Sequence, residues 1–480
     1  MPICSHCKKQ FKILEEDKEF LDRFEVPEPV DCPECRLMNR LTSRNAKNLY
    51  KRKCDFSGKE ILSQYHASHP FPVYETDIWF GDKWDALDYG QDFDFSRPFF
   101  NQIRELEDKV PHMSRFIISG TLDNSEYTNC TGYLKNCYLI GESDYDEECY
   151  YGNRIYHSKN VLDSSVIYKS ELLYECLDCY SCFNLFFSSN CRGCHDSYFL
   201  YDCKSCKNCL GCINQRYGEY MILNKKYSKQ DYESKAKELK LNTKQGIEKF
   251  GKQVDKFFKT QPHKHLQVER NENCIGDNLY DSKNAYMCFD SEDLENCRYC
   301  AKLFKEVKNC MDYNSWGDKA ELIYFSTSCG NSIYNLKFCD HCMTNSADLE
   351  YCIMCNATKN CFGCVGLNKK EFCIFNKQYS EEDYNKLKQK IINYMKENGD
   401  YGQFFPRKNS NYGYNETIAM DYFPLEKEAA LKHGFKWHDE NLNQEGENRD
   451  SRLQQNIMKC DTCNKNFNII KQEKDFYKKQ

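Results

Sequence analysis

The chain has 480 residues, with 67 Lys and Arg against 73 Asp and Glu, a net charge of −6 and 32 cysteines. That length allows several domains and a large buried core, while the near balance of charge excludes a globally basic surface and an acidic tail. No apolar run reaches the length of a membrane span and the opening MPICSHCKK lacks signal-peptide architecture, so the cysteines are expected as metal ligands and free thiols in the cytoplasm.

Residues 1–53 open with two knuckles, Cys4-Ser-His-Cys7 and Cys32-Pro-Glu-Cys35, with positions 8–31 between them. Four thiolates at this spacing close a tetrahedral Zn²⁺ site with no position left for water or substrate, so one structural zinc per chain is expected. His6 reads as a bystander. Pro33 suits the first turn of a helix leaving the second knuckle. The stretch CSHCKKQFKILEEDKEFLDRFEVPEPVDCPECR resembles a bacterial zinc-ribbon or treble-clef finger. Finger and cysteine-rich repeats together resemble a family of large uncharacterised bacterial proteins, a resemblance that implies zinc and architecture but no activity.

Residues 36–53 hold Arg36, Arg40, Arg44, Lys47, Lys51, Arg52 and Lys53 with no acid among them. A helix would place the first three at i, i+4 and i+8, with Lys47 and Lys51 continuing the stripe. Arg36, Arg40, Arg44, Lys47, Lys51 and Arg52 are therefore candidate nucleic-acid contacts. The alternative is a solvated face, or Arg stems packed on the acidic segment Asp77–Asp94. Residues 54–129 are rich in aromatics and read as a collar. Cys54, His66 and His69 within it are a weak metal candidate, more simply read as packing.

Residues 130–224 count in sixes. From Cys137 the register runs through Cys149, Ile155, Val161, Ile167, Leu173, Cys179, Leu185, Cys191 and Cys203 to Cys209, all apolar or small. The next place is usually aromatic and the preceding one favours Asn or Asp. The expectation is a parallel β-helix, a hexapeptide-period solenoid whose narrow interior makes Cys interchangeable with Ile, Val, Leu and Ser. Residues 225–273 form a Lys-rich helical insertion. A second β-helix tract follows at 274–379, with a slip near Cys310. Residues 207–232 and 359–384 match at 13 of 26 positions at an offset of 152, each leading into a helix through a capping box, Ser228 to Asp231 and Ser380 to Asp383. The second helix, 380–403, is expected to cap the last repeat, with Tyr384, Leu387, Ile391, Tyr394 and Met395 on one side.

Residues 404–456 read as polar linker, and 457–480 as a truncated second finger. Cys460-Asp-Thr-Cys463 repeats the first knuckle, but its partner knuckle would fall beyond Gln480, so Cys460 and Cys463 are expected to form an incomplete half-site.

The whole is thus expected to be mainly β and to act as a zinc-binding scaffold, with protein or nucleic acid as partner and no small-molecule substrate. The run Cys203-Lys-Ser-Cys206-Lys-Asn-Cys209-Leu-Gly-Cys212 keeps a redox or iron–sulfur reading open. Against it, every cysteine there falls on a repeat position that elsewhere holds residues unable to ligate iron. His157, His195 and His341 lie where hexapeptide acyltransferases place a catalytic His, but Tyr follows the aliphatic position where those enzymes favour small or acidic residues. No phosphate loop, Ser-His-Asp pattern or HExxH motif accompanies them.

Overall fold

The computed structural model describes residues 1–439, 458–462, 464 and 466–479. It is mainly β, with 34% strand and 23% helix. The first repeat tract forms a 15-stranded sheet that closes as a six-stranded all-parallel barrel. The parallel β-helix expected there is therefore corrected. The six-residue count locates the inward side chains, but it carries no information about which strands share hydrogen bonds or where a sheet closes. The second tract forms a separate 13-stranded sheet, parallel except at its final hairpin.

In the first sheet strands pair two repeats on, Cys149 with Val161, Val161 with Leu173 and Ile167 with Cys179, up to a final antiparallel hairpin. From Cys130 to Leu223 every third residue has a positive φ, between 46° and 63°. This explains the preference for Asn and Asp before the inward position, because Asn136, Asn160, Asp178, Asn190, Asp202 and Asn208 all sit at left-handed places. Their short polar side chains tolerate that geometry better than other L-residues. Side chains at such places also link positions two repeats apart, as Asn184 Nδ2 does by donating to Asp196 Oδ1 at 2.8 Å.

The interior alternates Ser and Cys for a reason finer than size. Ser164 Oγ donates to the Leu162 carbonyl at 2.9 Å and accepts the Cys176 N–H, two repeats ahead, at 3.0 Å. Cys179 Sγ donates to the Leu177 carbonyl, two places back, at 3.5 Å. Both residue types therefore satisfy the backbone carbonyl two places earlier.

The slip in the second tract has a simple form. Arg298 pairs with Met311, Met311 with Tyr324, Ile323 with Leu336 and Leu336 with Leu349. Each of these steps is one residue longer than those of the first sheet, and the shorter step returns where Leu349 pairs with Cys361. The extra residue sits at consecutive left-handed pairs: Lys305–Glu306, Asp318–Lys319, Asn331–Ser332 and Thr344–Asn345.

The duplication is matched at the end of each tract. Lys207–Leu210 and Glu219–Ile222 recur as Lys359–Phe362 and Glu371–Ile374, and Ser228 and Ser380 cap the helices Lys229–Leu239 and Glu381–Glu397. The latter helix buries Tyr384, Ile391, Ile392 and Met395 on the second sheet, while Lys244–Phe258 seats Phe250 and Val254 over Leu210 and Ile222.

The two sheets meet along the tyrosine row. Tyr156, Tyr168 and Tyr180 stack at 5.0 and 4.7 Å, and Arg192 lies between Tyr180 and Tyr280. The collar buries Trp79, Phe93 and Phe99 against Tyr351, Phe362 and Phe375 of the second sheet. Residues 404–439 depart from the expected linker: Tyr414, Ile418, Ala430 and Phe435 bury against Leu41 and Ala46. The remainder of that segment, 440–456, lies outside the described residues.

Candidate metal centre

Cys4 and Cys7 lie on a tight turn in which the Lys8 N–H reaches the Cys4 carbonyl at 3.1 Å and the Cys4 N–H reaches the Lys9 carbonyl at 2.9 Å. Helix α1, Glu15–Phe24, follows. Cys32 is the N-cap of helix α2, Pro33–Leu41, and Cys35 lies in its first turn, with Pro33 at the helix start. These elements bring the ligand atoms of Cys4, Cys7, Cys32 and Cys35 within 4.8 Å of one another. The Cys7 and Cys32 sulfurs are 3.8 Å apart, and a tetrahedron with Zn–S bonds of about 2.3 Å requires roughly that separation. Three of the four thiols are buried and Cys7 is half-buried.

Burial pushes the Cys32 thiol up to about 11 and Cys35 higher still. At Cys4 burial acts in the same direction, but the N–H groups of Cys32, Cys7 and His6 outweigh it and bring the pKa down to about 7. Crowded thiols of this kind lose their protons together when a dication supplies the compensating charge. The donor set thus fits a metal ion. His6 turns away from it, with Nδ1 2.8 Å from Asp31 Oδ2.

The basic stripe is split: its first two arginines are buried, while Lys47 is exposed. Helix α2 ends at Leu41, so Arg44, Lys47 and Lys51 do not continue it. Arg36 and Arg40 are 2% and 0% exposed. Both clasp Asp312 of the second sheet, Arg36 Nε at 2.7 Å and Arg40 Nη1 at 3.1 Å, while Arg40 Nε donates to Asn314 at 2.7 Å. A phosphate backbone has no access to either guanidinium. Arg44 pairs with Glu142, Lys47 with Asp421 and Arg52 with Asp55; Lys51 lies half-buried in strand Tyr50–Lys53. The acidic collar segment takes other cations: Asp85 holds Lys370 and Asp92 holds Lys377.

A second knuckle went unread in the sequence. At Cys54-Asp-Phe-Ser57-Gly58-Lys59, the Gly58 N–H reaches the Cys54 carbonyl and the Cys54 N–H reaches the Lys59 carbonyl, both at 2.8 Å. The Ser5 N–H bonds to the Val30 carbonyl and the Asp55 N–H to the Val73 carbonyl, each at 3.0 Å. Glu75 then caps a short helix as Cys32 caps α2, and its N–H meets Cys54 Sγ at 3.3 Å. The same frame therefore carries Cys54, Ser57, Glu75 and Ile78 where the first finger has four cysteines. His66 and His69 are engaged elsewhere, His69 Nδ1 at 2.8 Å from the His66 carbonyl. The signal was the Cys-x-x-Ser-Gly spacing.

Among the described residues no second group of three or more Cys, His, Asp or Glu ligands converges. The Cys203–Cys212 run points its sulfurs at backbone carbonyls: Cys203 Sγ meets the Tyr201 carbonyl at 3.4 Å and Cys206 Sγ the Lys204 carbonyl at 3.5 Å. At the C-terminus the Asn464 N–H reaches the Cys460 carbonyl at 2.9 Å, as in the first knuckle, while Cys463 lies outside the described residues. No helix among the described residues is long and apolar enough to cross a membrane. No protein-family model matches the chain, and no curated protein matches it. The family resemblance is left resting on the finger itself.

Proposed function

We propose that this chain is a cytoplasmic scaffold that acts by binding, with one structural Zn²⁺ held by Cys4, Cys7, Cys32 and Cys35. The observation carrying this reading is the four-sulfur set, mutually within 4.8 Å and joined through α2 to a buried Arg–Asp–Arg triad on the second sheet. Four thiolates fill a tetrahedral shell, which suits a staple and leaves no open position for catalysis. An exposed aromatic stack, Tyr133 on Tyr145 at 4.4 Å and Tyr145 on His157 at 4.7 Å, supports a role in contact with other macromolecules.

Elemental analysis on protein purified without oxygen tests the metal. About one zinc per chain, lost in Cys4→Ser with Cys35→Ser, is the expected result. Iron with acid-labile sulfide, or zinc retained by the double variant, would overturn it.

A further inference from the structure

The finger seats on the second sheet through two contacts in sequence. First, Asp17 of α1 accepts from Arg298 Nε at 2.6 Å and from the Tyr299 hydroxyl at 3.0 Å. Then α2 sets Arg36 and Arg40 on Asp312, with Arg36 over Tyr299 and Arg40 over Phe325.

The first sheet repeats the first contact. Helix Lys471–Lys479 lies on it, and Glu473 accepts from the Tyr151 hydroxyl at 2.9 Å. Phe476 packs beside Leu162, Phe186 and Tyr174. Glu473 follows Cys460 at the same spacing as Asp17 follows Cys4. Tyr151 follows Cys149 by two places, as Tyr299 follows Cys297. The ladder carries the match onward. Tyr150 pairs with Leu162 where Arg298 pairs with Met311, so the residues that follow, Asp163 and Asp312, hold the same place. Both are left-handed, with φ of 48° and 53°. One step further, Leu162 pairs with Tyr174 and Met311 with Tyr324, which sets Glu175 where the second sheet has Phe325.

Among the described residues the second contact has no counterpart. Asp163 and Glu175 are exposed, and neither has an ion-pair partner among the described residues. Although the side chain stays accessible, partial loss of water around the Asp163 carboxyl raises it to about 6, helped by the neighbouring charges of Glu473 and Glu175. Where the second sheet offers one carboxylate to two arginines, the first offers two carboxylates with a third beside them, and among the described residues no cation pairs with Asp163 or Glu175.

We propose that this face of the first sheet, bearing Tyr151, Asp163 and Glu175 beside helix Lys471–Lys479, is a docking surface for a partner helix of the α2 kind. That partner follows a Cys-x-x-Cys knuckle and presents arginines one and five places after its second cysteine, as Arg36 and Arg40 follow Cys35. Charge complementarity selects it, and the filled counterpart on the second sheet gives the seating. The inference deepens the scaffold reading by naming a partner chemistry, but it does not depend on the zinc, whose content is measured separately.

The probe is a fluorescein-labelled peptide of residues 31–45, titrated with the intact chain and followed by anisotropy at low salt. Saturable binding should weaken at least about tenfold when Asp163→Lys and Glu175→Lys are combined, and equally when the peptide carries Arg36→Glu and Arg40→Glu. Asp123→Lys, elsewhere on the same sheet, should leave binding unchanged. Circular dichroism of each variant reports folding, which exposed positions should not disturb. No binding, or binding indifferent to the Asp163 and Glu175 changes, would overturn the proposal. So would self-association of the intact chain that the peptide competes away, since the occupant would then be a second copy.

Discussion

Asp146 occupies an inward place that Ser158 and Ser170 hold in the following repeats. Ser158 Oγ accepts the Ser170 N–H at 3.2 Å, and Asp146 Oδ1 accepts the Ser158 N–H at 2.9 Å. The carboxyl group does the hydroxyl's work with one oxygen, while Oδ2 is buried without a hydrogen-bond partner among the described residues. Burial pushes its pKa from 3.8 up to about 9. The folded state therefore holds this proton more tightly than the unfolded chain. The stabilisation is complete below the ordinary aspartate range and is lost as pH rises from 3.8 towards about 9. Asp146→Ser keeps the acceptor and removes the group that must take up a proton on folding. Urea melts should show the variant gaining about 1–3 kcal/mol over the parent at pH 8 and almost nothing at pH 4. An equal difference at both pH values would assign the effect to packing. At this scale the sequence was highly legible, since an inward register of Cys, Ser and aliphatics is a direct image of a narrow interior. The register predicted smallness. It did not predict that Ser and Cys are equivalent because both donate to the carbonyl two places back.

The finger turn occurs at Cys4, at Cys54 and at Cys460, each closed by an N–H to the cysteine carbonyl and each followed by a positive φ, at Lys8, Gly58 and Asn464. Among the described residues only the first gathers four thiols. The frame at Cys54 is otherwise complete, so Ser57→Cys, Glu75→Cys and Ile78→Cys together should create a second tetrahedral site. The triple variant is expected to carry about two zinc ions per chain, and a single zinc would show that the Cys54 frame is too tight to accept the ion. The sequence disclosed the first and third knuckles because two cysteines survive in each. The middle one has a lone cysteine among collar aromatics and acids, which is indistinguishable by spacing from ordinary packing. Helix α2 was legible in place but not in orientation. A run of arginines defaults to solvent, because a buried guanidinium is costly unless paired. The residue that pairs it, Asp312, lies 276 positions from Arg36.

Across the whole molecule, the finger and the second sheet are one mechanical unit. Removing one partner of a buried ion cluster leaves the others uncompensated, at about 3–5 kcal/mol. Asp312→Ala should therefore cost about that much, and hydrogen exchange should accelerate in both α2 and strand Met311–Gly317 while the first sheet keeps its protection. Replacing the triad together, as Asp312→Leu with Arg36→Met and Arg40→Met, should be far closer to neutral. If Asp312→Ala frees α2 without affecting the strand, the two are not coupled. The duplication was legible at the ends of the two tracts, where residues 207–232 match 359–384, whereas barrel closure was not, because closure is a property of hydrogen bonds between residues that sequence periodicity treats alike. The lengthened steps of the second sheet have a further consequence for anyone comparing such chains. Cys149 and Cys297 are 148 positions apart, and Cys209 and Cys361 are 152 apart, with four lengthened steps making up the difference. A single inserted residue is absorbed at one corner as a second left-handed residue, and the inward row resumes unchanged. Length in these repeats can therefore drift by single residues without harm, so alignments that assume a constant repeat will name the wrong residue at every site beyond the first such corner.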